Sequence, residues 1–111
     1  MSDLYETIFE ITRQVPKGKV TTYGAIARAI GSAKSARMVG WALNSKKNQL
    51  GDIPAHRVVN RFGHLTGSKF FPFETMREML LNEGVEIIDN RIVNFETYFW
   101  DPSQIIKINI K

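Results

Sequence analysis

Thr22-Tyr23-Gly24-Ala25-Ile26-Ala27-Arg28-Ala29-Ile30-Gly31-Ser32-Ala33-Lys34-Ser35-Ala36-Arg37-Met38-Val39-Gly40-Trp41-Ala42-Leu43-Asn44 is where the fold is decided. Thr22 suits a helix N-cap, because its side-chain oxygen can accept from a backbone N–H left unpaired in the first turn. From about Tyr23 to Ile30, the spacing of Ile26, Ala27 and Ile30 gives one apolar helical face. Gly31-Ser32-Ala33-Lys34 reads as a turn. A second helix follows from about Ser35 to Asn44, with Met38, Val39 and Leu43 inward. Two short helices joined by a Gly-containing turn form a helix-turn-helix candidate. Such pairs also occur in proteins that never meet DNA, so the pattern alone is weak.

Working outward, Leu4, Ile8, Ile11 and Val15 predict an amphipathic helix over residues 3–15, with Asp3 and Glu6 spaced as a capping box. Pro16-Lys17-Gly18-Lys19 ends it, and Val20-Thr21-Thr22 is a short extended link. Residues 45–52 read as a polar loop. Arg57-Val58-Val59 and His64-Leu65-Thr66 predict two strands around Asn60-Arg61-Phe62-Gly63, a hairpin or wing. Pro72 suits the first position of a helix whose apolar face is Phe73, Met76 and Leu80, with Gly84 just past its end. Asp89-Asn90 between residues 85–88 and 91–93 predicts a second small hairpin. The tail carries Phe95, Tyr98, Phe99 and Trp100, then an alternating Ile-rich end from Ile105 to Ile110. The expected fold is α+β, mostly α: a single winged-helix-like domain over residues 1–111, with a helix-turn-helix and a small β-hairpin wing.

Composition narrows the function. The 111 residues suffice for one modest core. With no cysteine, disulfides, thiolate metal sites and thiol nucleophiles are excluded. A net charge of +4 suits a polyanionic partner, although charge by itself decides little. His56 and His64 lack partners for a metal cluster, and no Gly-rich phosphate loop is present, so no metal and no cofactor is expected. No apolar run approaches a membrane span and the start does not read as a signal peptide. The expected place is the cytoplasm, at the nucleoid in a bacterium or in the nucleus of a eukaryote.

Four motifs in order carry a resemblance. They are Pro16-Lys17-Gly18-Lys19-Val20-Thr21-Thr22-Tyr23-Gly24, Ser35-Ala36-Arg37-Met38-Val39-Gly40, Pro54-Ala55-His56-Arg57-Val58-Val59 and Asn82-Glu83-Gly84. Together they resemble the DNA-binding domain of the O6-alkylguanine-DNA alkyltransferases, over about Val15 to Trp100, without the family's separate N-terminal domain. In that family the segment reads Pro-Cys-His-Arg-Val-Val; here Ala55 stands at the cysteine. Within the family the chain is most similar to the alkyltransferase-like proteins, whose tails resemble Tyr98-x-Trp100-x-Pro102. Most of those carry Trp where Ala55 stands, so Ala55 implies a roomier pocket with one stacking surface fewer. Residues 103–111 extend past the resemblance.

The resemblance implies roles. Arg37 is the finger that enters the base stack through the minor groove; without the surrounding motif, an arginine on a helix surface would simply be solvated. Ala36 and Gly40 let the helix approach DNA closely, or pack an ordinary helix pair. Tyr23 presses on the 3′ phosphate, or is a half-buried aromatic at a helix start, with Thr22 beside it at the DNA. The lesion pocket draws on Ala55, His56, Arg57, Val58, the segment Thr66-Gly67-Ser68-Lys69, and Tyr98 and Trp100. In an active relative His56, Glu83 and the cysteine form the catalytic set, the imidazole activating the thiol and the carboxylate orienting the imidazole. Here His56 and Glu83 are vestigial, with no catalytic residue left. Arg57 ties the active-site loop to neighbouring backbone.

The leading expectation is a non-enzymatic protein that binds O6-alkylguanine in double-stranded DNA, flips the nucleotide and flags it for nucleotide excision repair proteins, with no membrane partner. One rival is a methylated-DNA-protein-cysteine methyltransferase whose cysteine at position 55 was replaced by design. The other is a plain winged-helix regulator, which has no use for Pro54-x-His56-Arg57.

Overall fold

In the computed structural model, residues 2–31, 36–45, 51–66 and 75–104 are described. Helix α1 (Ser2–Arg13) is followed by strand β1 (Thr21–Thr22) and helices α2 (Tyr23–Ala29) and α3 (Ala36–Ser45). A 3-10 turn (Ala55–Arg57) leads into β2 (Val58–Val59). Helix α4 (Thr75–Asn82), strands β3 (Ile87–Ile88) and β4 (Arg91–Ile92) and the one-turn helix α5 (Phe95–Tyr98) complete the order. The predicted helix start at Pro72 and Phe73, together with Ser68 and Ile105–Ile110, lies outside the described residues.

The two helices of the predicted helix-turn-helix form as their residues dictate, while the part of the turn at residues 32–35 lies outside the described residues. The Thr22 side chain accepts from the Ala25 N–H at 3.0 Å, the predicted N-cap. Ile26 and Ala27 of α2 meet Val39, Ala42 and Leu43 of α3, and Ile8, Phe9 and Ile11 of α1 close this first core from the other side. α1 starts at Ser2, so Asp3 lies within its first turn and not at the flanking cap position. A second core gathers Val20, Val59, Leu65, Met76, Leu80, Val85, Ile87 and Ile92.

The predicted hairpin between residues 57–59 and 64–66 does not form. Val58–Val59 instead pairs in parallel with Thr21–Thr22, in the register Thr21↔Val58 and Thr22↔Val59. The reason is burial on both faces. Successive strand residues point to opposite sides, and here Val58 enters the first core while Val59 enters the second. A strand buried twice over belongs between the cores. Arg57 is drawn into the preceding 3-10 turn. The other expected arm joins the later hairpin, with His64 bridged to Arg91 and the Leu65 N–H donating to the Asn90 carbonyl at 3.0 Å.

That later hairpin is the one expected around Asp89-Asn90. β3 and β4 are antiparallel, and both turn residues adopt positive φ (51° and 63°). This is the left-handed pair a tight type I′ connection demands, and Asp and Asn tolerate it better than other non-glycine residues. Gly84 (φ 91°) ends α4 as predicted, with the Val85 N–H turned back to the Leu80 carbonyl at 3.1 Å.

Candidate functional site

The 3-10 turn and the end of α4 bring three charged or titratable side chains together. Glu83 follows the last residue of α4, and its carboxylate faces His56 and Arg57. His56 Nε2 lies 2.9 Å from Glu83 Oε2. Arg57 grips the same carboxylate twice, donating from Nε to Oε1 at 3.0 Å and from Nη2 to Oε2 at 2.6 Å. Arg57 Nη1 donates to the Val15 carbonyl at 2.8 Å, which ties the turn to the end of the α1 region. The Gly18 N–H reaches Oε1 at 3.4 Å. Gly18 itself takes φ +83°, and a Cβ there would stand 3.3 Å from the Glu83 carbonyl oxygen, so the loop after α1 closes over Glu83 only with glycine at this position.

The electrostatics follow from this geometry. Burial pushes the Glu83 carboxyl up, but the Arg57 and His56 hydrogen bonds outweigh it and bring its pKa down to about 2. Burial lowers the pKa of His56; the Glu83 contact opposes that shift and the Arg57 charge adds to it. His56 is therefore neutral near pH 7 and donates from Nε2 to the carboxylate, leaving Nδ1 as an acceptor. Ala55 is 1% exposed and packs in the first core. Its methyl group offers neither nucleophile nor proton.

Both shifts favour the deprotonated groups in the folded state, so stability should fall on acidification. The His56 contribution is present above its unfolded value of 6.5 and fades as pH drops below it. The Glu83 contribution is lost between 4.5 and about 2. Urea unfolding at pH 7.5, 5.5 and 3.5 checks this; equal stability at the first two values would contradict the neutral assignment of His56.

The residues expected at DNA lie on α2 and α3 and at their starts. Arg37 is exposed on α3, whose inward face is Val39, Ala42 and Leu43. Ala36 is half-buried against the first core. A Cβ on Gly40 would sit 4.0 Å from Tyr23 Cε1, so α3 and the first residue of α2 approach at ordinary contact distance. Burial raises the Tyr23 pKa, and a hydrogen bond to Thr66 opposes the rise, joining Tyr23 to the start of the 66–69 segment. The Thr22 hydroxyl is occupied by the cap.

Other expected pocket residues are placed differently. Val58 is fully buried in the core. The Tyr98 hydroxyl donates to the Gly84 carbonyl at 3.4 Å, and its ring packs against the second core. The main chain of the tail brackets Val20, just before β1: the Val20 N–H donates to the Tyr98 carbonyl at 2.9 Å and the Trp100 N–H to the Val20 carbonyl at 2.8 Å. Ser68 lies outside the described residues. Sequence reasoning missed that Arg57 shares Glu83 with His56. It also missed Arg61 and Phe62, stacked at 4.8 Å at the tip of the turn after β2. An Arg-Phe pair between Asn60 and Gly63 was the available signal.

Among the described residues there is no group of three or more His, Asp or Glu side chains placed to hold a metal ion. None of their helices is long and apolar enough to cross a membrane.

Comparison with known proteins places the chain among relatives. A protein from Picrophilus torridus named bifunctional methyltransferase/endonuclease is 40% identical over 81% of this chain, which spans only 30% of that protein's length. The Escherichia coli protein named DNA base-flipping protein is 36% identical, over 86% of this chain and 73% of its own. Alkyltransferase-like protein 1 of Schizosaccharomyces pombe is 33% identical, over 92% of this chain and 98% of its own. The crystal structure of S. pombe Atl1 in complex with damaged DNA containing O6-carboxymethylguanine superposes with a TM-score of 0.79 at 32% identity, covering 90% of this chain and 96% of that one. The family model for the 6-O-methylguanine DNA methyltransferase DNA-binding domain matches residues 3–85, and the chain belongs to that family.

Proposed function

We propose that this protein binds O6-alkylguanine in duplex DNA, turns the nucleotide out of the stack and holds it without accepting the alkyl group, leaving the lesion to nucleotide excision repair proteins. The observation that carries this reading is Ala55: it occupies the nucleophile position while His56, Arg57 and Glu83 keep a complete hydrogen-bonded cluster beside it. The machinery that would serve a thiol is in place around a methyl group. Similarity to a protein named for base flipping and to one crystallised with damaged DNA supports the DNA half of the proposal.

In this reading Arg37 fills the gap left by the extruded nucleotide, because a guanidinium can stack and hydrogen-bond at once. Tyr23 meets the phosphate next to it. Extrusion costs a few kcal/mol, which the intercalated side chain and the pocket around residue 55 offset. The small Ala36 and Gly40 allow α3 to come close to the sugar–phosphate chain.

Flipping is tested with 2-aminopurine placed next to O6-methylguanine in a duplex. Its fluorescence should rise when the protein binds, as the neighbouring base leaves the stack. Binding without that rise would remove flipping from the account. Whether His56 and Glu83 keep a geometry that could serve a thiol is tested with Ala55→Cys. With His56 neutral and held by Glu83, the variant is expected to take up the methyl group from O6-methylguanine, seen as a methyl increment in its mass. A variant that binds the lesion yet gains no methyl would show that the pocket no longer presents the lesion to residue 55.

A further inference from the structure

Beside the helix-turn-helix lies a groove of about 660 Å³ that shares Thr22, Tyr23 and Ala36 with the proposed DNA-facing surface and extends past it to three phenylalanines. Its walls are Phe62, Phe95 and Phe99, with Arg28 and Arg61 bringing positive charge and Glu96 a single opposing carboxylate. Tyr23 and Ala36, the first residues of α2 and α3, are among its lining, and Arg37 follows Ala36 on α3. None of Ala55, His56, Arg57 and Val58 is among its lining residues.

We infer that this groove is a second nucleic-acid subsite, which takes an unpaired nucleotide of the same DNA strand next to the flipped lesion. This rests on the proposed function, since the strand is brought to the rim by the helix-turn-helix. The chemistry of the lining selects the ligand. Phe62 is 55% exposed, a large apolar ring left in water, with the Arg61 guanidinium 4.8 Å from its centroid. Aromatic faces beside arginines are how single-stranded DNA is held: bases stack on the rings and phosphates meet the guanidiniums, with little regard for sequence. Phe95 and Phe99 continue the aromatic surface inward, their centroids 5.7 Å apart.

The groove is rigidly built where it matters. Asn60 Oδ1 accepts from both the Phe62 and His64 N–H groups at 2.9 Å, which fixes the turn that presents Arg61 and Phe62. Gly63 at φ +83° closes that turn, and a Cβ there would come within 3.3 Å of the Phe95 ring. The tip and the groove floor are thus packed against each other. Opening of the duplex around an extruded base leaves a strand with weakened stacking, and the groove offers that strand a replacement surface.

The test uses the full chain and a dye-labelled dT12 oligonucleotide, followed by anisotropy. The protein should bind dT12, Phe62→Ala should weaken that binding roughly tenfold, as expected for loss of one stacked base, and Phe62→Tyr should retain it. The same oligonucleotide with one 5-iodo-deoxyuridine should crosslink on irradiation to Phe62, Phe95 or Phe99. Unchanged dT12 affinity in Phe62→Ala, or crosslinks only outside the groove, overturns the subsite. So does failure of the protein to bind dT12 at all. The proposed function fails separately, if the unsubstituted protein shows no preference for an O6-methylguanine duplex over its guanine counterpart.

Discussion

Replacing Glu83 by alanine is expected to destabilise the protein by about 3 kcal/mol at neutral pH. The carboxyl is held at about 2 against an ordinary 4.5, and that depression corresponds to roughly 3 kcal/mol of preference for the folded state at pH 7. Removing one partner of a buried ion pair typically costs about 3–5 kcal/mol, because the other charge is left unpaired. Arg57 and Glu83 are 16% and 10% exposed, so the lower end applies. The loss would not be local. Glu83 holds the 3-10 turn through His56 and Arg57 and the loop after α1 through Gly18, so its removal loosens the seam between the two cores. Glu83→Gln keeps an acceptor for one partner and should lose less. Urea unfolding measures both, and the acid-induced loss between pH 4.5 and 2 should be smaller in Glu83→Ala by the share that Glu83 contributes. A change below about 1 kcal/mol would mean that the cluster contributes little beyond its solvation cost.

The second large effect is on binding. Arg37→Ala is expected to weaken affinity for an O6-methylguanine duplex by on the order of 10- to 100-fold, the equivalent of one to three kcal/mol of stacking. Affinity for undamaged duplex should fall far less, because there the side chain contributes no more than an ordinary phosphate contact. Arg37 is exposed and α3 is held from its other face, so the fold is left intact. Equal losses on the two duplexes would make Arg37 a phosphate contact and take it out of the base stack.

Much of the fold could be read locally. Thr22 capped α2, Gly84 stopped α4, and Asp89-Asn90 closed a hairpin, because each of these depends on the conformational preference of one or two residues. The parallel pairing of Thr21–Thr22 with Val58–Val59 could not. Two-residue strands far apart in sequence have no period to detect, and the valines at 58 and 59 looked the same whether one face or both would be buried. The assumption of a local hairpin followed from the turn signal at Asn60-Arg61-Phe62-Gly63, which was sound; only the partner was wrong. The turn is there, fixed by Asn60.

The candidate site divides in the same way. The pairing of His56 with Glu83 and the tie from Arg57 to nearby backbone came from the family resemblance, and the distances agree with both. That Arg57 also clamps Glu83 was not readable, since it depends on the 3-10 turn directing consecutive side chains at one carboxylate. The groove beside Phe62 was invisible for a similar reason: its three phenylalanines come from two distant segments, and the sequence pattern gave Phe95 and Phe99 only as tail aromatics.

The most direct measurement is a titration of the protein with two matched duplexes, one carrying O6-methylguanine and one guanine, followed by mass spectrometry of the recovered protein. The account predicts tighter binding of the methylated duplex and a protein mass unchanged after prolonged incubation. Equal affinity for the two duplexes would contradict lesion recognition. A mass increased by one methyl group would show that a residue other than cysteine accepts the alkyl group, and that the cluster around His56 is still catalytic.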